Sequence, residues 1–165
     1  MSTETNAEQA GEPADQEREQ LERQVRSGAN WFFLIAGLSI VNSVLFLVGS
    51  ERSFVAGLGI TQIVDFIVSN LGLTGAAPQI LSLLINLPIL GGFVLLGVLG
   101  RREKEWPFWI GMILYGLDTL IFLVAADWLS LLFHIVAVYY MFKGVRALRS
   151  LTDIRRARPA GFISS

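Results

Sequence analysis

The chain has 165 residues, 53% of them hydrophobic, and a formal net charge of -1. That charge averages an acidic N-terminal stretch against a basic C-terminal one, and the long uncharged stretches between them exclude an ordinary soluble domain. With no cysteine, disulfides, thiolate chemistry and cysteine-ligated metals are excluded.

Residues 1–13 are polar with no apolar face, so the composition predicts disorder there. Residues 14–27 favour helix, with Leu21 and Val25 as an apolar pair one turn apart and Gly28 placed to end it. Residues 1–30 thus read as a polar, partly disordered tail. The first apolar run starts only at Trp31, so no cleaved leader is expected and that run reads as a retained anchor. The first span is 31–49, with Trp31, Phe32 and Phe33 at its interface and Asn42 interrupting it.

Residues 50–78 are the ambiguous part. Thr61, Gln62, Asp65 and Ser69 fall on one helical face, and apolar residues cover the rest. This predicts an amphipathic helix over about 53–72, interfacial or re-entrant, on the outer side. The second span is 79–100. Asn86 and Pro88 lie inside it, Pro88 should kink it, and Gly91-Gly92 offer a close approach to a neighbour. After the charged loop 101–106, the third span covers about 107–126 and the fourth about 128–142. The membrane domain closes near residue 146. The basic tail 147–165 follows, and the helical spacing of Val145, Leu148, Leu151 and Ile154 lets it lie on anionic lipid or stay in solvent.

Lysine and arginine gather on the cytoplasmic side of membrane proteins. Here they flank the spans at Arg23 and Arg26, at Arg101, Arg102 and Lys104, and at Lys143, Arg146 and Arg149, against Arg52 alone on the other side. Four spans with both termini cytoplasmic put every cluster inside; a fifth crossing at 53–73 would not. The expected fold class is therefore all-α, a membrane four-helix bundle.

An internal repeat refines this. Laying 32–50 on 108–126 matches Phe32 to Phe108, Asn42 to Asp118 and Ser43 to Thr119; laying 81–86 on 129–134 matches Asn86 to His134. Two helical hairpins in parallel orientation follow, the first carrying residues 51–78 as an insertion. At about 1.5 Å per residue, Asn42, Asn86, Asp118 and His134 each sit roughly 9–12 Å below the outer end of their span. An ionised Asp near a helix centre costs about 2.5–3.5 kcal/mol, and an interhelical hydrogen bond returns only about 0.6 kcal/mol. These four residues should therefore face one another, with Asp118 against His134 and Tyr115 one turn away.

Such a cluster has three uses. It can fix helix packing in a structural protein. It can relay protons or ions through an Asp118–His134 pair, with Gln62 and Asp65 at an outer mouth and an oligomer supplying the pore. An intramembrane enzyme is the weakest reading, because no nucleophile motif accompanies the pair. One histidine and no cysteine argue against structural zinc. No cofactor is called for, and the basic tail needs no nucleic acid to explain it. The expected partner is the bilayer, with anionic lipid at the tail; a homo-oligomer or a membrane-protein partner stays open. No glycine pair has G-x-x-x-G spacing.

The motifs W-F-x-x-I-A-G-L-S-x-x-N at 31–42 and G-L-G-I-T-Q-x-x-D at 57–65 resemble small uncharacterised bacterial integral membrane proteins. The resemblance covers about residues 30–65. It implies a bacterial plasma-membrane setting and points to Asn42, Gln62 and Asp65, but carries no activity with it.

Overall fold

The computed structural model describes residues 2–48 and 57–157, with side chains from Asp15 onward. Five helices follow in order: α1 (Ser2–Leu47), α2 (Gly59–Ser69), α3 (Ala77–Arg101), α4 (Trp106–Val124) and α5 (Trp128–Ala157), with no strand among the described residues. Four of them are long and apolar enough to cross a membrane. The exception is α2, whose 11 residues rise only about 16 Å against a core of about 30 Å. Only about a third of each spanning window is buried inside the protein. The outward faces carry exposed Leu, Ile and Val along every span, which fits helices solvated by acyl chains and makes this a small multi-pass membrane protein.

The spanning helices form a ring in the order α1, α3, α4, α5. Diagonal placement of α1 against α4, and of α3 against α5, is what a two-fold axis along the bundle requires. Phe32 and Phe108, equivalent in the repeat, meet near that axis with ring centroids 5.9 Å apart. Gly111 makes room for them, since a Cβ there would collide with the Phe32 ring.

Small residues set the closest approaches, though none are four apart in sequence. A Cβ on Gly28 would lie 2.9 Å from Gly144 Cα, so α1 and α5 cross backbone to backbone. That contact corrects the reading of Gly28 as a helix end: α1 runs through it, because packing on α5 outweighs glycine's poor helix propensity. Residues 2–13, expected to lack structure, likewise continue α1 as helical backbone. Gly91 and Gly92 have nothing within 4 Å; close approach falls instead at Gly97, against Phe33, and at Gly100, against Ala29 and Phe108. Pro88 sits within an unbroken α3.

At one end the core continues past the apolar belt. Val25 of α1 is buried with Val145, Leu148 and Leu151 of α5, and Leu21 packs on them. Val145, Leu148 and Leu151 of the tail's apolar stripe are therefore covered by α1, while Ile154 is half-buried. Arg101 donates to Asn30 Oδ1 from Nε at 3.0 Å and from Nη2 at 2.6 Å. Arg149 pairs with Glu105 at 2.5 Å and Arg155 with Glu103 at 2.5 Å. These contacts hold the end of α3, the α3–α4 loop, the Asn30 turn of α1 and the last half of α5 at the same end. Arg52 lies outside the described residues.

Candidate functional site

The polar residues of the spans do not meet in one cluster, because α2 lies among them and divides them in two. Its polar face turns inward: Thr61 and Asp65 are buried, while Ile60, Phe66 and Ile67 are exposed. An interfacial helix would show the polar face to water. The observed orientation puts apolar side chains outward and polar ones into the bundle, as expected of an inserted helix with lipid around it.

The first cluster is built at the N-terminus of α2. The opening N–H groups of any helix lack intrahelical partners, and in an apolar setting each must find one. Leu58 N donates to Ser39 Oγ of α1 at 2.8 Å. Gly59 N donates to Asp118 Oδ2 at 2.7 Å and Ile60 N to Asp118 Oδ1 at 2.8 Å. Thr61 N closes on Leu58 O at 3.2 Å. All four donors are satisfied, and three of them by side chains of other helices. Ser39 keeps its acceptor side open by donating its own hydrogen to Ile35 O at 2.9 Å. Two glycines permit the approach: a Cβ on Gly57 would lie 2.7 Å from Asn42 Nδ2, and one on Gly59 would lie 2.8 Å from the Phe122 ring.

His134 completes this cluster from α5, with Nε2 3.0 Å from Asp118 Oδ2 and Nδ1 2.8 Å from Ser130 O. A carbonyl only accepts, so Nδ1 carries a hydrogen and donates it. Between Nε2 and Oδ2 there is then room for one proton. It sits on the imidazole, making an ion pair, or on the carboxyl, making a neutral pair. Tyr115 stacks flat on the imidazole at 4.0 Å with a 12° tilt, and Phe122 covers it at 4.8 Å. Asp127 positions the start of α5, its carboxylate accepting from Ser130 N at 3.1 Å and Ser130 Oγ at 2.6 Å. These bonds from Ser130 hold the Asp127 carboxyl below its ordinary value.

The second cluster joins α2 to α3. Ser82 Oγ and Asn86 Nδ2 both donate to Asp65 Oδ1, the latter at 3.0 Å. Asn86 Nδ2 also reaches Ser82 Oγ at 3.2 Å. Asp65 therefore does not stand at an outer mouth, as its place on the polar face of α2 suggested; it faces inward because α2 does. Asn86 joins Asp65, not Asp118 and His134. Asn42 is buried beside Gly57, and Gln62 is half-buried and enters neither cluster among the described residues. Three buried acceptor or hydroxyl atoms have no hydrogen-bond partner among the described residues here: Asn86 Oδ1, Tyr115 Oη and Ser43 Oγ.

Ser39, Ser82 and Ser130 are the participants that the sequence reading passed over. Ser82 and Ser130 occupy the same column of the LSLLIN/LSLLFH repeat, a signal that was present. Ser39 had none, because its partner is a backbone N–H. The arrangement can cap a helix and hold one shared proton. It offers no nucleophile beside a base aimed at open space. No protein-family model matches the chain, and neither a curated protein nor a solved structure matches it.

Proposed function

We propose that the chain is a structural or interaction-type protein of the bacterial plasma membrane, with both termini cytoplasmic, whose buried polar residues clamp α2 into a four-helix bundle. The observation supporting this is that both Asp118 oxygens are occupied by the backbone N–H groups of Gly59 and Ile60. A helix N-terminus inside a bundle is a ready anion site. Here the acceptor is the protein's own Asp118 carboxyl group, so the site is filled from within. The positive-inside distribution of lysine and arginine supports the orientation, and the resemblance at residues 31–65 supports the bacterial setting.

A second reading rests on the proton shared by His134 Nε2 and Asp118 Oδ2 at 3.0 Å. A buried pair holding one mobile proton is the element from which relays are built. Proton flux into proteoliposomes under an imposed pH gradient separates the two. The clamp reading expects the wild-type protein to match empty vesicles, and Asp118→Asn with His134→Asn to lower the unfolding midpoint. Flux above that of empty vesicles, lost in Asp118→Asn while the midpoint holds, would replace the clamp with a relay.

A further inference from the structure

A groove of about 460 Å³ runs between α1 and α5 at the charged end of the bundle. Its lining changes character along its length. Tyr139 and Phe142 lie toward the apolar belt, 60% and 45% exposed. Lys143, Arg146, Gln24 and Ser150 lie toward the charged end. Trp31 stacks on Tyr140 at 5.2 Å beside it, which marks the level where aromatic rings sit in a bilayer interface.

Some cations at this end are already neutralised, and the two in the groove are not. Arg149, Arg155, Arg18 and Arg23 each pair with a carboxylate. Lys143 and Arg146 have no carboxylate or other hydrogen-bond partner among the described residues, and both are exposed. They are one turn apart on α5, so they address the same space. A groove with a hydrocarbon-facing aromatic end, a cationic end and hydrogen-bonding amide and hydroxyl groups matches one kind of molecule. That molecule has an acyl body and an anionic phosphate head.

We propose that this groove binds the phosphate headgroup of an anionic glycerophospholipid from the surrounding leaflet, with Lys143 and Arg146 on the phosphate and Tyr139 and Phe142 against the glycerol and upper chains. The inference uses a different surface from the α2 clamp and stands independently of it. It also places the anionic-lipid contact of the basic tail at the start of the tail, since Val145, Leu148 and Leu151 of the tail's apolar stripe are already covered by α1.

The test uses the full chain in a neutral detergent, titrated with dioleoyl phosphatidylglycerol, dioleoyl phosphatidylcholine or inorganic phosphate, with thermal unfolding and native mass spectrometry as readouts. Phosphatidylglycerol should raise the midpoint and form adducts where phosphatidylcholine does not. Lys143→Gln with Arg146→Gln should weaken the phosphatidylglycerol preference by about thirtyfold, at about 1 kcal/mol per surface cation. The double variant's midpoint without lipid should match that of the wild type, which separates lost binding from lost folding. Arg149→Gln, outside the groove, should keep the preference. Equal responses to the two lipids, or an unchanged preference in the double variant, would overturn the proposal. So would a response to inorganic phosphate as large as that to phosphatidylglycerol, since it would identify a free-anion site.

Discussion

The two hairpins solve the same problem with different parts. In the second, His134 of α5 finds a carboxylate on its own hairpin, Asp118 of α4. In the first, the equivalent Asn86 of α3 does not turn to Asn42, the residue equivalent to Asp118. It turns to Asp65, which arrives on the inserted helix. The insertion thus supplies the acid that its hairpin lacks, and its own N-terminus borrows the acid of the other. Each hairpin depends on the other through α2. One short helix placed across the two hairpins makes their polar contacts asymmetric.

The sharpest way to break that dependence is Asp118→Ala. It strands the N–H groups of Gly59 and Ile60 and leaves His134 without its partner. Losing one member of a buried pair costs about 3–5 kcal/mol. We expect the largest drop in unfolding midpoint here, with α2 amides losing hydrogen-exchange protection first. Asp65→Ala strands only the Ser82 hydroxyl and one Asn86 amide hydrogen. We expect about 1–3 kcal/mol, with protection at Gly59 and Ile60 retained. Equal losses for the two variants would mean that the hairpins are energetically equivalent after all.

A second comparison sharpens the two-fold centre. Gly111→Ala drives a methyl group into the Phe32 ring, and overpacking of this kind costs about 1–3 kcal/mol. Gly116→Ala, five residues on in the same helix with nothing within 4 Å, should be neutral or slightly stabilising by helix propensity. Paired melting curves decide it, and similar midpoints for both would displace Phe32 from the centre.

The smallest effect concerns the charged end. Arg155 and Arg149 hold the carboxyls of Glu103 and Glu105 below their ordinary value of 4.5 by direct hydrogen bonds. A depressed carboxylate adds stability above its unfolded-state value and loses it as pH falls through the folded one. Acidification from neutral pH through 4.5 and below should therefore lower the wild-type midpoint. Glu103→Gln with Glu105→Gln should flatten that slope slightly, because exposed pairs contribute little. An identical slope would remove these pairs from the acid response.

Much of this arrangement was legible in the residues. Asp118 and His134 could be matched because both are ionisable, both lie on spans joined by a tight turn, and helical rise fixes their depth. The hairpin order and the shared end of the cationic loops followed from charge placement. The Asp65–Ser82–Asn86 cluster was not legible, because the depth of a short amphipathic helix is set by what its polar face finds. Composition describes the face but not its partner. The α2 cap was hidden for a related reason: its donors are backbone N–H groups of Leu58, Gly59 and Ile60, which no side-chain pattern records. Close contacts at Gly28, Gly97 and Gly111 escaped because each meets a different neighbour, so no regular spacing arises.

The length of α1 has a mechanical consequence. From Asp15 to Leu47 it is an unbroken rod of 33 residues, about 50 Å at the helical rise, and Gly28 is pinned against α5, so it cannot serve as a hinge. Ser39, which holds the first amide of the α2 cap, stands on the same continuous helix as Leu21 and Val25, which pack on α5 at the charged end. The seat of α2 is therefore tied, through one continuous helix, to the packing at the charged end of the bundle.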